Sequence, residues 1–152
     1  MGAKKVLFAT DFSIAADAAL PEAEALAKAR GASLLILHVQ EPTPAYDGAL
    51  YYGPLEPTTE TLDKMLHELV PADKSITVEH RLAMGNPATE IVRTANQEPV
   101  EMIVIGTHGR TGLSRLLMGS VAESVVRHAS CPVMTYKATK KTGATSSETS
   151  AA

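Results

Sequence analysis

Glu101-Met102-Ile103-Val104-Ile105 runs directly into Gly106-Thr107-His108-Gly109-Arg110-Thr111-Gly112-Leu113-Ser114-Arg115-Leu116-Leu117-Met118-Gly119-Ser120, and a helical pattern follows to Ala129. The first five residues are nearly all apolar. That is the signature of a strand covered on both faces, as in a parallel sheet flanked by helices. After Ser120, the residues Val121, Ala122, Val125 and Val126 recur at helical spacing. The stretch therefore predicts a strand, a glycine-rich loop and a helix, which is one βα unit.

On either side of this stretch the same unit repeats. Lys5–Ala9 and Ser33–Val39 are further apolar runs, and Pro132–Tyr136 is a shorter one. Ser75–Leu82 alternates instead, which predicts an edge strand with one wetter face. Between these runs lie helical patterns. Residues 14–30 end at Gly31, a glycine suited to closing a helix. Pro21 within them predicts a kink or a restart near Leu20. Thr58–Val70 carries Leu62, Met65, Leu66 and Leu69 on one face, and Asn86-Pro87 opens a third helix with Ala88, Ile91, Val92 and Ala95 as its stripe. Strict alternation of strand and helix predicts a single α/β domain, with right-handed crossovers and helices on both faces of a parallel sheet. Glu41–Pro57, with four prolines and Tyr46, Tyr51 and Tyr52, is expected to be a long irregular loop. The tyrosines suit a lid, a partner surface or half-buried anchors. The domain is expected over residues 1–137, followed by a disordered polar tail, 138–152.

Composition narrows the functions. A length of 152 residues suits one domain with an adequate core. The net charge of −3 argues against DNA or RNA, whose binders are normally basic, and an aromatic content of 4% argues against base-stacking surfaces. A small phosphate ligand stays open, because backbone N–H groups hold phosphate without net positive charge. The single cysteine, Cys131, rules out an intramolecular disulfide and reads as a small core residue. No signal peptide, myristoylation pattern or transmembrane-length run is present, so a cytoplasmic protein without a membrane partner is expected.

Ligands of open α/β sheets bind at the carboxyl ends of the strands, where strand order reverses. The informative residues are therefore Ala9-Thr10-Asp11-Phe12-Ser13, His38-Val39-Gln40 and the glycine-rich stretch from Gly106 to Ser120. Four glycines, two arginines (Arg110 and Arg115) and a helix start are the makings of a phosphate cradle. Ser120 to Glu123 reads equally as a capping box, and the glycines equally as turn residues. Spacing does not separate the two readings. The phosphate motifs G-x-x-x-x-G-K-[ST] and G-x-G-x-x-G are absent. The five histidines, His38, His67, His80, His108 and His128, form no zinc pattern, so no metal site is expected; His38 and His108 both follow strands.

Taken together, these features resemble the universal stress protein family. Gly106, two residues, Gly109, nine residues, then Gly119-Ser120 matches the G-2x-G-9x-G-[ST] motif of its ATP-binding members. Lys5–Ser13 resembles its opening strand and acidic turn, Leu37-His38-Val39 the end of its second strand, and Met84-Gly85-Asn86-Pro87 its turn before the third helix. Gly119–His128 and Cys131-Pro132-Val133 resemble its closing helix and strand. The resemblance implies a doubly wound five-stranded parallel sheet of order 3-2-1-4-5 and the fold of the adenine nucleotide alpha hydrolases. It implies that Ala9, Thr10, Asp11 and Val39 surround adenine and ribose, and that Ile105 and Gly106 lie along the nucleoside. Gly109, Gly119, Ser120 and Val121 would then hold the phosphates. The implied ligand is ATP, with or without Mg²⁺. The implied assembly is a homodimer paired through Val133–Tyr136, acting in the stress response on an unidentified protein partner.

Rapid phosphoryl transfer needs a base and charge clamps. Asp11 is the obvious carboxylate near the ligand loops, and the glycine-rich loop has no lysine. No catalytic residue is assigned, and a nucleotide-responsive regulatory module is expected, with a slow Mg²⁺-dependent ATPase or autokinase as the alternative. Adenylating enzymes of the same topology carry S-G-G-x-D-S after the first strand, where this chain has Ala9-Thr10-Asp11-Phe12-Ser13.

Overall fold

Val6, Leu7 and Phe8 are sealed from solvent because their strand lies at the centre of the sheet with neighbours on both sides. The computed structural model describes residues 3–42, 56–107 and 118–137. In chain order the elements are β1 (Lys5–Ala9), α1 (Ile14–Arg30), β2 (Ser33–Gln40), α2 (Thr59–Glu68), β3 (Val78–Met84), α3 (Pro87–Gln97), β4 (Val100–Gly106), α4 (Ser120–His128) and β5 (Val133–Tyr136). The sheet order is β3-β2-β1-β4-β5, and every pairing is parallel. The parallel sheet is the one expected from the alternation of strand and helix, and its order is the one the family resemblance implies.

Side-chain alternation along the strands divides the core in two. Val6, Phe8, Leu34, Ile36 and Val104 pack with α1 and Leu66 of α2 on one face. Leu7, Leu35, Leu37, Ile103 and Ile105 pack with α3 and α4 on the other, through Ile91, Ala95, Ala122 and Val125. Each fully buried leucine, isoleucine or phenylalanine contributes about 1.5–3 kcal/mol of transfer free energy. Cys131 is half-buried against the second cluster, and burial pushes its thiol pKa up, as suits a packing residue.

α1 lies close to the sheet because Ala16, Ala19, Ala23 and Ala27 form its buried stripe. Of the two outcomes expected at Pro21, the restart near Leu20 does not occur: the helix is unbroken from Ile14 to Arg30. Pro21 faces solvent, and the buried alanines on either side of it hold both halves on the sheet. At the far end Gly31, at φ 60°, closes a Schellman motif, in which its N–H donates to Lys28 O and the Ala32 N–H to Ala27 O.

The third strand starts at Val78, three residues later than its alternation predicts. Asp73 is the reason. Its Oδ1 accepts from the Ser75 amide at 2.9 Å and the Ser75 hydroxyl at 2.6 Å, which keeps that segment in a turn. β3 is an edge strand, as its pattern implied. Its α3-facing side carries Glu79 and Arg81, which join Lys5 and Glu98 in a quartet: Lys5 to Glu98 2.6 Å, Lys5 to Glu79 3.0 Å, Arg81 to Glu79 2.7 Å and Arg81 to Glu98 3.3 Å. The Lys5 ammonium holds both carboxyls below their ordinary pKa. Among the described residues no helix is long and apolar enough to cross a membrane.

Candidate functional site

The switch point of this topology lies between β1 and β4: β1 leads across to β2 on one side, and β4 leads to β5 on the other. The carboxyl ends of these strands bring most of the candidate residues together. Ala9 pairs in register with both Leu37 and Ile105, and Val39 pairs with Ala83. Ala9, Val39 and Ile105 share the α3/α4 face and are 6–8% exposed, so they form an apolar base at the strand ends. Ala83 extends that base.

The turn after β1 is built by side chains that accept from the backbone. Thr10 Oγ1 accepts from the Phe12 amide at 2.9 Å, Asp11 Oδ1 from the Ser13 amide at 2.9 Å, and Ser13 Oγ from the Ala16 amide at 3.2 Å. Ser13 is the N-cap of α1. The chain passes through the left-handed region at Phe12, φ 63°, the one non-glycine residue with positive φ among those described. Beneath the turn, buried His38 donates from Nδ1 to the Thr10 carbonyl at 2.8 Å, and its ring lies 4.4 Å from that of Phe12. The Asp11 carboxylate thus has one oxygen committed to the turn, and its Oδ2 has no partner among the described residues.

Across the crevice, Gly106 ends β4 where α1 comes closest. A Cβ on Gly106 would sit 3.3–3.4 Å from the carbonyl carbon, Cβ and oxygen of Ala15. Helix packing therefore accounts for this glycine. Thr107 is buried, donates its N–H to the Tyr136 carbonyl of β5 at 2.9 Å, and accepts at its own carbonyl from the Gly119 N–H. That last bond closes the neck of the glycine-rich segment and sets the start of α4 beside the end of β4.

At the start of α4 the capping-box reading is not realised. The N-cap is Gly119, with no side-chain cap bond, and the first intrahelical bond runs from the Glu123 N–H to the Gly119 carbonyl. Ser120 is the first helical residue and is exposed, while Glu123 pairs with Arg127 at 2.9 Å. The amides of Ser120 and Val121 lie in the first turn, where no intrahelical acceptor exists. Gly109, Arg110, Arg115 and His108 lie outside the described residues, as do Tyr46, Tyr51, Tyr52 and the tail from residue 138. Among the described residues no three or more His, Cys, Asp or Glu side chains gather into a metal-binding group.

Thr107 and Phe12 were not singled out as site residues by the sequence. A threonine after a strand-ending glycine is common enough to pass unnoticed, and nothing local marks Phe12 for positive φ.

The model of the universal stress protein family matches residues 2–137. The chain belongs to this family. A universal stress protein of Methanocaldococcus jannaschii is 34% identical over 144 residues, covering 91% of this chain and 84% of that protein. One from Thermus aquaticus is 35% identical over 132 residues, covering 86% of this chain and 96% of that protein. Among solved structures, a universal stress protein UspA from Lactobacillus plantarum superposes with a TM-score of 0.63 at 27% identity, covering 90% and 99% of the two chains. A universal stress protein in complex with cAMP shares the fold with a TM-score of 0.66 at 21% identity, covering 91% and 100%. Another, from Archaeoglobus fulgidus in complex with dAMP, shares it with a TM-score of 0.57 at 21% identity, covering 90% and 98%. The family's doubly wound sheet is the one described above.

Proposed function

We propose that this universal stress protein binds ATP in the crevice between the turn after β1 and the start of α4, as a cytoplasmic, nucleotide-responsive homodimer of the stress response. The observation that carries the reading is the uncapped N-terminus of α4. The Ser120 hydroxyl makes no cap bond, and the Ser120 and Val121 amides belong to a first turn with no internal acceptor. In this reading they hold phosphate, aided by the Ser120 hydroxyl and by Gly109. Gly119 acts differently from its neighbours: its N–H already serves Thr107, so it contributes close approach rather than a donor. Ala9, Val39 and Ile105 lie under the base, Thr10 and Gly106 flank the nucleoside, and Asp11 accepts from ribose hydroxyls through Oδ2. The adenine preference is supported by the cAMP and dAMP complexes of proteins with this fold. The homodimer would pair the edge of β5 that no strand among the described residues occupies, its other edge being taken by β4.

The test is calorimetry with ATP, with and without Mg²⁺, on the wild type and Gly119→Val, with ADP measured in the same samples. The expected result is saturable binding to the wild type, none to the variant, and ADP at background. Mg²⁺-dependent ADP over many turnovers would favour the slow ATPase or autokinase, and absence of binding to the wild type would overturn the reading.

A further inference from the structure

The turn that presents Asp11 is held from below by a residue on the opposite face of the sheet. His38 follows Leu34 and Ile36 in alternation, so its side chain lies on the α1 face, away from the base formed by Ala9, Val39 and Ile105. From there it reaches the turn at two points, the Thr10 carbonyl at 2.8 Å and the Phe12 ring at 4.4 Å. A carbonyl only accepts, so Nδ1 carries the proton. Thr10 also donates its amide to the Leu37 carbonyl at 2.9 Å, so β2 grips this residue at both its N–H and its carbonyl. The turn needs the help. Phe12 sits at φ 63°, a conformation that is unfavourable for a non-glycine residue and persists when its surroundings fix it.

We propose that His38 is a positioning residue for nucleotide binding: through Thr10 and Phe12 it fixes the left-handed turn that sets the Asp11 carboxylate at the mouth of the crevice. This rests on the nucleotide reading above. In it His38 acts on the ligand through the turn, not by direct contact.

Two substitutions separate positioning from bulk stability. His38→Asn can place an N–H where Nδ1–H stands, whereas His38→Leu fills the space without a donor and removes the partner of the Thr10 carbonyl. The measurements are the calorimetric Kd for ATP with Mg²⁺, and hydrogen exchange at the Thr10 and Phe12 amides, both at a temperature where all three proteins are folded. His38→Leu is expected to weaken ATP binding by roughly tenfold and to speed exchange at both amides, while His38→Asn stays within about threefold of wild type in both. Equal Kd values in all three proteins, with ATP bound by the wild type, overturn the proposal and leave the nucleotide reading intact. If the wild type binds no ATP, the nucleotide reading fails. Faster exchange in His38→Leu alone would then show that the histidine holds a turn with no nucleotide role, which also overturns the proposal.

Discussion

The turn after β1 and the start of α4 flank the same switch point and solve their backbone problems in opposite ways. After β1, the side chains of Thr10, Asp11 and Ser13 each accept from a local amide, and the helix that follows is capped by Ser13. At α4 the cap position is a glycine, the next hydroxyl makes no cap bond, and the first-turn amides have no intrahelical acceptor and no capping side chain among the described residues. The first arrangement is finished by the chain itself. The second leaves its first-turn amides without a capping side chain among the described residues. In the proposed reading, a crevice with one wall capped by its own side chains and one wall of first-turn amides suits a ligand whose anionic end meets those amides.

The largest effect that would break this contrast is Gly119→Val. Gly119 lies at φ −70° and ψ 163°, an extended conformation that valine adopts readily, so the fold should persist. ATP binding should fall at least about a hundredfold, since the side chain would invade the proposed phosphate position. A lower melting temperature together with unchanged affinity would show that this glycine serves the backbone and not a ligand.

Next comes Gly106→Val, which tests the glycine that packing explains. A Cβ there already meets the Ala15 backbone at 3.3 Å, and two further methyl groups have to displace α1. The expected loss is about 1–3 kcal/mol, read as a lower denaturation midpoint. An unchanged midpoint would mean that α1 gives way freely and that helix packing does not account for this glycine.

The most direct pair is Ser13→Ala beside Ser120→Ala. Removing the Ser13 cap should cost about 1 kcal/mol, or about 3 °C in Tm for a chain of this size. Removing the Ser120 hydroxyl should change stability by less than about 0.5 kcal/mol, because it caps nothing, while weakening ATP binding several-fold. Equal stability losses at both positions would restore the capping-box reading of Ser120 and erase the contrast.

The smallest effect lies at the other end of the sheet and serves as a control. Lys5 and Arg81 hold the Glu79 and Glu98 carboxyls below their ordinary pKa. For a carboxyl depressed by folding, the stabilisation is fully present above its unfolded value, near about pH 4.3, and is lost as pH falls through the lower folded value. Glu98→Gln should therefore flatten the loss of stability between about pH 5 and about pH 3 and leave ATP affinity at neutral pH unchanged. A wild-type acid slope in the variant would show that the quartet is silent. Altered affinity would show that the two ends of the sheet are coupled.

Reading the chain alone recovered the parallel sheet, its edge strand β3 and the Asn86-Pro87 helix start, because each is written in a local signal: apolar run length, alternation, and a cap followed by proline. It left a kink and a restart both open at Pro21, because the missing hydrogen bond is a local fact but the alanine contacts that keep α1 unbroken are not. The candidate site was legible in part. Ala9 and Val39 follow from their places at strand ends and Ile105 from the family resemblance, and register-paired strands bring the three together.

Which residues gather at the carboxyl ends of the strands, and on which side of the sheet they emerge, was already fixed along the chain, since periodicity and strand–helix alternation depend on near neighbours. How each residue is used was settled by packing in three dimensions. Gly106 admits the approach of Ala15, the Gly119 amide serves Thr107, and His38 holds a carbonyl reached from the far face. These assignments depend on contacts between residues far apart in sequence, where no periodicity reaches. Ser120 is freed for the same reason: the Thr107 bond and the helix start at Gly119 shift the cap by one residue, which no local pattern of Ser and Glu could reveal.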